Sequence, residues 1–182
     1  MRIVVIVDSS SAVANMIPLF RAGLNDFLDA VPGDPEIAII STGGQLRIRV
    51  APTSDRAKLH AVANGFTSDG GANALLDTLL EADKRLLRSA PDRRPVFVIL
   101  TTDQGATLGE PRVQAYNVFL NDFLARGGRA HAVIVRGVNS GVTSRIVENL
   151  TDNTGGFFEA VGLANPVPKM MKTLAGYVAA DQ

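Results

Sequence analysis

A run of branched aliphatic residues near the start of the chain, IVVIV at residues 3–7, constrains the fold more than any other feature. No polar residue alternates with the apolar ones, so both faces of the strand that the run predicts must be covered. Such strands are typical of parallel sheets that have helices on both sides. A second run of this kind, PVFVILT, occupies residues 95–101. Together the two runs predict a mainly parallel central sheet.

Each of these runs ends in oxygen-bearing side chains. Asp8 and three serines follow the first run, and Thr102 and Asp103 follow the second. Ligands of open parallel sheets bind beyond the carboxyl ends of the strands, so the two carboxylates converge if the strands are neighbours. At about 5 Å and an effective dielectric of about 20 they would repel by about 3 kcal/mol. A cation, a raised pKa or hydrogen bonds must then offset the repulsion.

The rest of the chain alternates between helix and strand patterns. The patterns predict helices over residues 13–31, 54–65, 73–89, 112–126, 143–153 and 166–179. They predict further strands over residues 36–42, 45–51, 129–135 and 156–161. Apolar and arginine residues alternate in segment 45–51, which indicates an antiparallel edge strand after a Gly-Gly reversal. We therefore predict one α/β domain over residues 1–182, a three-layer α/β/α sandwich of Rossmann-like type with one antiparallel edge strand.

Composition excludes several classes of function. The chain has 18 basic and 18 acidic residues, so no net charge attracts it to nucleic acid. It has no cysteine, which excludes thiolate catalysis and cysteine-ligated metals. No apolar run approaches the roughly 20 residues of a membrane span. A strand that begins at the second residue supports the hypothesis that the domain is part of a longer polypeptide.

Other chemistries lack a residue that they need. His60 and His131 are far apart in sequence and neither has a second histidine at metal-ligand spacing, so we predict packing or surface roles for both. The serines after Asp8 lack the Gly-x-Ser-x-Gly elbow of a serine hydrolase. The segment SDGGAN lacks the Lys-Ser/Thr of a phosphate-binding loop, so we predict a loop that is capped by Asn73. A phosphoacceptor receiver domain needs an acidic pair near Asp8, and a haloacid-dehalogenase-like hydrolase needs a second Asp where Ser10 stands.

The segment DSSSA after the first run resembles the metal-ion-dependent adhesion site of von Willebrand factor type A (vWA) domains, which begins Asp-x-Ser-x-Ser. Asp8 matches the Asp of that motif, Ser10 matches its first Ser, and Asp103 in LTTDQG matches a later Asp. The edge hairpin, the Gly70-Gly71 loop and the segment TGGFFEA at 154–160 also lie where the family has them. The resemblance covers nearly the whole chain and implies a vWA domain, a non-enzymatic module for protein binding and cell adhesion.

The sequence departs from the family at two metal ligands. Ala12 occupies the position of the motif's second Ser. Ala72 occupies the position of the Thr that follows Gly-Gly in the family. Since Mg²⁺ needs protein oxygens to anchor it, the resemblance implies that Mg²⁺ or Mn²⁺ is held weakly or not at all. The side-chain oxygens of Ser11 or Asp69 could replace the missing metal ligands. The implied metal ligands that remain are Asp8, Ser10 and Asp103.

Two states of this degenerate site follow. In the first, no metal binds, Asp8 and Ser10 fix the first turn, and replacing Asp103 with alanine is expected to raise stability by relieving repulsion. In the second, a weakly held metal is completed by an acidic side chain of a protein partner. The alternative from another class is a metal-dependent hydrolase or phosphatase that uses Asp8 and Asp103.

In either state we predict that the partner binds at the carboxyl-terminal rim of the sheet, because loops on a rigid sheet carry recognition residues. The predicted surface comprises residues 8–12, 67–73 and 103–110, with the loop at 137–141. Within it, the partner-contacting residues that we predict are Ser9, Ser11, Asp69, Gly70, Gly71, Asn73 and Gln104.

Overall fold

The chain forms a six-stranded sheet between two layers of helices. The structure is a computed structural model that describes residues 1–104 and 109–182, apart from the side chains of residues 110 and 111. The strands in this described part are β1 (Arg2–Val7), β2 (Glu36–Ser41), β3 (Arg47–Thr53), β4 (Pro95–Thr102), β5 (Arg129–Val135) and β6 (Phe158–Val161). Its α-helices are α1 (Ile17–Ala30), α2 (Arg56–Asn64), α3 (Leu75–Ala82), α4 (Glu110–Ala125), α5 (Val142–Thr154) and α6 (Val167–Ala180).

The strand order is β3-β2-β1-β4-β5-β6. All neighbouring strands are parallel except β2 and β3, which pair antiparallel at the edge of the sheet. The predicted three-layer fold with one antiparallel edge strand is therefore confirmed. β1 lies directly beside β4, with Val7 opposite Leu100, so Asp8 and Asp103 follow neighbouring strands as predicted. No helix among the described residues is long and apolar enough to cross a lipid bilayer.

β1 is covered on both faces, as its uninterrupted apolar run predicts. Ile3, Val5 and Val7 belong to a buried cluster with residues of α1, α2 and α6. Val4 and Ile6 point to the opposite face, where they join a second cluster with residues of α3, α4 and α5. Because successive side chains of a strand point to opposite faces, one strand contributes to both cores.

The first predicted helix begins later than the periodicity indicates. A short 3-10 turn at Ser11–Val13 comes first, and α1 begins at Ile17 with Pro18 in its first turn. Proline is tolerated there because the first N–H groups of a helix have no partner within the helix. The predicted start of α2 is confirmed, because the Asp55 side chain accepts the backbone N–H groups of its first turn.

The predicted helix over residues 73–89 is also shorter. α3 begins at Leu75, and the residue that precedes it, Ala74, makes no side-chain cap. The prediction that Asn73 caps this segment is therefore wrong, since the Asn73 side chain bonds elsewhere. After Ala82 the helix continues as one π-helical turn, Asp83–Leu87.

Asp83, in the π turn, is the centre of an ion-pair network that joins α3 to the end of α4. Its side chain is only 3% exposed, and Arg126 donates to both of its carboxylate oxygens at 2.7 Å. Arg88 lies 3.3 Å from Asp83 and 2.9 Å from Asp122, which also accepts from Arg126 at 2.7 Å. Burial alone would lower the pKa of Arg126, but its bonds to Asp83 and Asp122 outweigh that and raise the pKa.

His131, inside β5, is a buried titratable group at the opposite end of the sheet from Asp8. Its Nδ1 accepts the backbone N–H of Phe157 at 3.0 Å, so the proton of the neutral ring is on Nε2, which donates to Asp181 at 2.7 Å. Burial lowers the pKa of His131. The hydrogen bond and charge of Asp181 oppose this effect, and the charge of Arg129 adds to it.

We expect stability to fall on acidification because of His131. Its folded-state pKa lies below the ordinary value of 6.5, so its contribution is fully present above about pH 6.5 and is lost as the pH falls through the lowered pKa. One proton limits the slope to about 1.4 kcal/mol per pH unit. Urea unfolding between about pH 7.5 and 5 measures it. His131→Gln should flatten the slope relative to wild type, whereas His60→Gln should preserve the His131 contribution. A slope that His131→Gln leaves unchanged would contradict the assignment.

Candidate functional site

Asp8 lies in the turn after β1 and is fully buried. Its Oδ1 accepts the backbone N–H of Ser10 at 2.8 Å. Its Oδ2 accepts the backbone N–H of Thr102 at 3.2 Å and the Thr102 hydroxyl at 2.6 Å. The Ser10 hydroxyl oxygen accepts the backbone N–H of Ala12 at 3.4 Å, at the start of the 3-10 turn. Asp8 therefore joins the ends of β1 and β4 through protein donors.

Asp103 follows β4 and is directed toward the N-terminus of α5. Its Oδ1 accepts the backbone N–H of Ser144 at 2.8 Å, and its Oδ2 accepts the backbone N–H of Gly141. Gly141 is the N-cap residue of α5 and makes no side-chain cap of its own. The first N–H groups of a helix are unpaired and carry partial positive charge. Asp103 thus caps α5 from another loop.

This geometry reverses the expected effect of removing Asp103. The carboxylate is stabilised by the two N–H groups and by the helix dipole, so we expect Asp103→Ala to lower the free energy of unfolding by about 1–2 kcal/mol. Thermal or urea unfolding measures the change. Asp103→Asn keeps one acceptor oxygen and loses the charge, so its loss should be smaller. A gain in stability for Asp103→Ala would restore the view that carboxylate repulsion dominates.

Three loops meet at this edge of the sheet: the first loop (residues 8–12), the hairpin turn (residues 42–46) and the middle loop (residues 67–73). The hairpin turn packs tightly on the first loop, where the Ser9 hydroxyl oxygen accepts the backbone N–H of Gly43 at 2.8 Å. A Cβ atom at Gly43 would lie 2.5 Å from the carbonyl oxygen of Ser9. Only glycine therefore allows this approach.

The middle loop is bonded to the first loop through two of its residues, Asp69 and Gly71. The backbone N–H of Asp69 donates to the carbonyl oxygen of Ser9 at 2.7 Å. The backbone N–H and the hydroxyl of Ser11 both donate to the carbonyl oxygen of Gly71, at 3.1 and 3.0 Å. Gly70 and Gly71 adopt φ angles of 76° and 71°, which other residues rarely adopt. The Gly-Gly pair therefore shapes the loop for these bonds.

Asp69 connects the middle loop to the edge strand β3. Its Oδ2 accepts the Ser9 hydroxyl at 2.7 Å, pairs closely with Arg49, and lies 3.9 Å from Arg47 Nε. Arg49 also donates to the Ser41 hydroxyl at 2.8 Å. Burial alone would raise the pKa of Asp69, but the hydrogen bonds from Arg49 and Ser9 and the charges of both arginines hold it below its ordinary value. Asp69 is thus ionised and paired.

Asn73 joins the ends of two strands from inside the site. Its Oδ1 accepts the Thr42 hydroxyl at 2.6 Å, and its Nδ2 donates to the Thr101 hydroxyl at 2.9 Å and to the carbonyl oxygen of Gln104 at 3.0 Å. The residue is 3% exposed. Its role in this structure is to hold the loops in register.

The predicted partner-contacting residues divide by exposure. Ser9 and Asn73 are buried, so the prediction that they contact a partner is not supported by their placement: their side chains bond to other loops instead. Residues 105–108 of the predicted surface lie outside the described part. The exposed members are Ser11, Gly71 and Gln104, and the half-buried ones are Asp69 and Gly70.

The oxygen atoms that this site offers as metal ligands do not fit a tightly bound divalent ion. Each oxygen of Asp8 and Asp103 already accepts at least one N–H or O–H group of the protein. Ala12 and Ala72 offer no side-chain oxygen, which leaves Ser10 as the only hydroxyl among the implied ligands. In the described residues, no group of three or more His, Asp or Glu side chains could hold a metal ion.

The two histidines lie away from these loops. His60, on α2, contacts Asn25 Oδ1 at 2.6 Å and Asp29 Oδ1 at 3.0 Å. The Ser9 hydroxyl donates to a carboxylate and accepts a backbone N–H, so in the described part of the site it has no histidine base to activate it. The sequence-based view that neither histidine forms a catalytic pair with the serines agrees with these contacts.

Comparison with solved structures defines the class of fold. A "von Willebrand factor type A" structure from Catenulispora acidiphila superposes with a TM-score of 0.78 at 13% identity, over 97% of this chain and 42% of that one. The conserved hypothetical protein BatB from Bacteroides thetaiotaomicron superposes with a TM-score of 0.71 at 13% identity, over 100% of both chains. The chain therefore has the fold of a vWA domain, as the sequence predicts.

A third similar structure bears on metal binding. The structure of proximal thread matrix protein 1 from the mussel byssus has zinc in its metal-ion-dependent adhesion site (MIDAS) motif. It superposes on this chain with a TM-score of 0.75 at 14% identity, over 98% of this chain and 45% of that one. The chain thus spans less than half of the length of this protein and of the Catenulispora protein. No family model matches the sequence, and no curated protein matches it in sequence.

Proposed function

We propose that this domain is a non-enzymatic protein-interaction module, which binds a protein partner at the carboxyl-terminal rim of the sheet without a resident metal ion. The observation that carries the proposal is that Asp8 and Asp103, the two carboxylates that match the adhesion-site motif, accept hydrogen bonds from other parts of the protein. They hold loops together, and Ser11, Gly71 and Gln104 of the loops at this edge are exposed.

An acidic side chain of the partner would meet a cation of the protein instead of a metal. Arg49 is committed to the close contact with Asp69, whereas Arg47 is more peripheral, 3.9 Å from Asp69 with its side chain 44% exposed. A guanidinium group can bind a carboxylate through two parallel hydrogen bonds. Arg47 is therefore the group that we assign to an acidic partner residue.

The test compares capture of a partner by wild type and by two charge-reversed variants. Cross-linked complexes are collected from an extract of the source organism, and the captured proteins are quantified with and without EDTA. A partner should be retained by wild type in EDTA, lost by Arg47→Glu, and retained by Lys172→Glu, which changes an exposed cation on α6. Equal capture by all three proteins would exclude the rim as the partner-binding surface. Loss of capture in EDTA would favour the state in which a weakly held metal ion takes part in binding.

Two direct measurements test the metal-bound state of the site and the hydrolase alternative. Titration calorimetry with Mg²⁺ and Mn²⁺ should give no binding heat up to millimolar concentrations. A generic phosphoester with Mn²⁺ should give no turnover, and turnover that Asp8→Ala abolishes would favour the hydrolase alternative.

A further inference from the structure

We propose that the groove between α4 and α5 is a second docking surface, for a polypeptide segment that presents two neighbouring apolar side chains beside a carboxylate. The groove has a volume of about 510 Å³. It lies between helices on one face of the sheet, whereas the rim is formed by loops. Its lining residues are Val113, Tyr116, Asn117, Val142, Arg145, Ile146 and Asn149.

The spacing of these residues gives the groove its length. The α5 wall runs from Val142 to Asn149, with Arg145 and Ile146 one turn along, so one face of that helix lines the groove. Seven residue steps of an α-helix span about 10 Å. Three residues of extended chain cover about the same distance. The length of the groove therefore suits a short segment.

The floor of the groove is apolar. Val113, Val142 and Ile146 are half-buried, so their side chains remain partly open to solvent. Tyr116 is 8% exposed and donates its hydroxyl to Asn149 Oδ1 at 2.7 Å, and burial raises its pKa, so the phenol stays neutral. An apolar floor of this size with a few polar groups at its edge is typical of binding sites.

The charge at the edge of the groove selects the partner. Arg145 is exposed, and its side chain makes no ion pair or hydrogen bond with any residue that the structure describes. No acidic residue is among the lining residues whose side chains the structure describes. A carboxylate that follows or precedes the apolar side chains would pair with this free guanidinium, which has the fork geometry for a carboxylate.

The experiment uses blocked tripeptides and NMR spectra of the intact chain. The probes are acetyl-Leu-Leu-Glu-amide and acetyl-Glu-Leu-Leu-amide, each with a Gln-containing counterpart. We expect the methyl signals of Val113, Val142 and Ile146 to shift, with a Kd on the order of 1 mM for at least one Glu peptide. Arg145→Gln should weaken Glu peptides about three-fold to five-fold and leave Gln peptides unchanged.

Two further variants test the location. Arg85→Gln removes an exposed arginine of the π turn and should leave all affinities unchanged. Asn117→Trp places an indole at the groove from an exposed wall position and should abolish binding of every peptide. The proposal is overturned if the groove methyls do not shift at about 10 mM peptide, or if Glu and Gln peptides bind equally. It is also overturned if sedimentation shows a dimer that Asn117→Trp disrupts, since a second copy of the chain would then occupy the groove.

Discussion

Replacing Arg126 with methionine is expected to lower the free energy of unfolding by about 3 kcal/mol. The change keeps most of the apolar stem and removes the guanidinium that donates to both oxygens of Asp83 at 2.7 Å. The Asp83 side chain is 3% exposed and, among the described residues, would retain only Arg88 as a cationic partner, whose side chain is 49% exposed and 3.3 Å away. A buried carboxylate that loses its main partner is costly because water cannot replace the lost bonds. Urea unfolding at neutral pH measures the loss.

The double variant Asp83→Leu with Arg126→Met provides the control. It removes the buried charge together with its partner, so it should recover most of the stability that Arg126→Met loses. If the single variant costs less than about 1 kcal/mol, the pair behaves as an exposed ion pair. The network would then not be what joins the π turn to α4.

Replacing Asp8 with alanine is expected to cost about 3 kcal/mol of stability as well. The substitution leaves three donors without an acceptor in a fully buried position: the backbone N–H groups of Ser10 and Thr102 and the Thr102 hydroxyl. Each buried donor that loses its acceptor carries a desolvation penalty of about 1–3 kcal/mol, and these penalties overlap. Urea unfolding in EDTA and in Mg²⁺ measures the loss, which should be the same in both.

Asp8→Asn and Ser11→Ala are the matched variants for this experiment. Asparagine keeps the shape and one acceptor oxygen, so its loss should lie below that of alanine. Ser11→Ala removes one exposed hydroxyl bond and should change stability by no more than about 0.5 kcal/mol. Stabilisation of wild type by Mg²⁺ that Asp8→Ala lacks would show that Asp8 serves a metal and not the loops.

The fold was predictable because it depends on patterns that are local in sequence. The apolar runs at residues 3–7 and 95–101 placed β1 and β4 in the centre of the sheet, and the bounds of β5 agree with the predicted segment. The antiparallel edge strand followed from the alternation of apolar and arginine residues. These features need only the periodicity of a strand and the burial of its faces.

The contacts of the site were not predictable in the same way. Asp103 caps a helix that begins almost 40 residues later, and Asn73 bonds to Thr42 and Thr101, which are about 30 residues away on either side. Sequence spacing does not specify which donor a loop carboxylate will meet. The one sequence signal for these contacts was Thr102, next to Asp103 at the end of a neighbouring buried strand. Its hydroxyl makes the shortest hydrogen bond to Asp8, at 2.6 Å.

The interlocking of the first loop, the hairpin turn and the middle loop has a kinetic consequence. Their hydrogen bonds are already formed in the free protein, through Ser9, Gly43 and Gly71. A partner that docks on these segments would not have to order them first. Its association rate constant should then lie in the ordinary docking range of about 10⁵–10⁷ M⁻¹s⁻¹ and increase linearly with concentration, without a slow isomerisation phase.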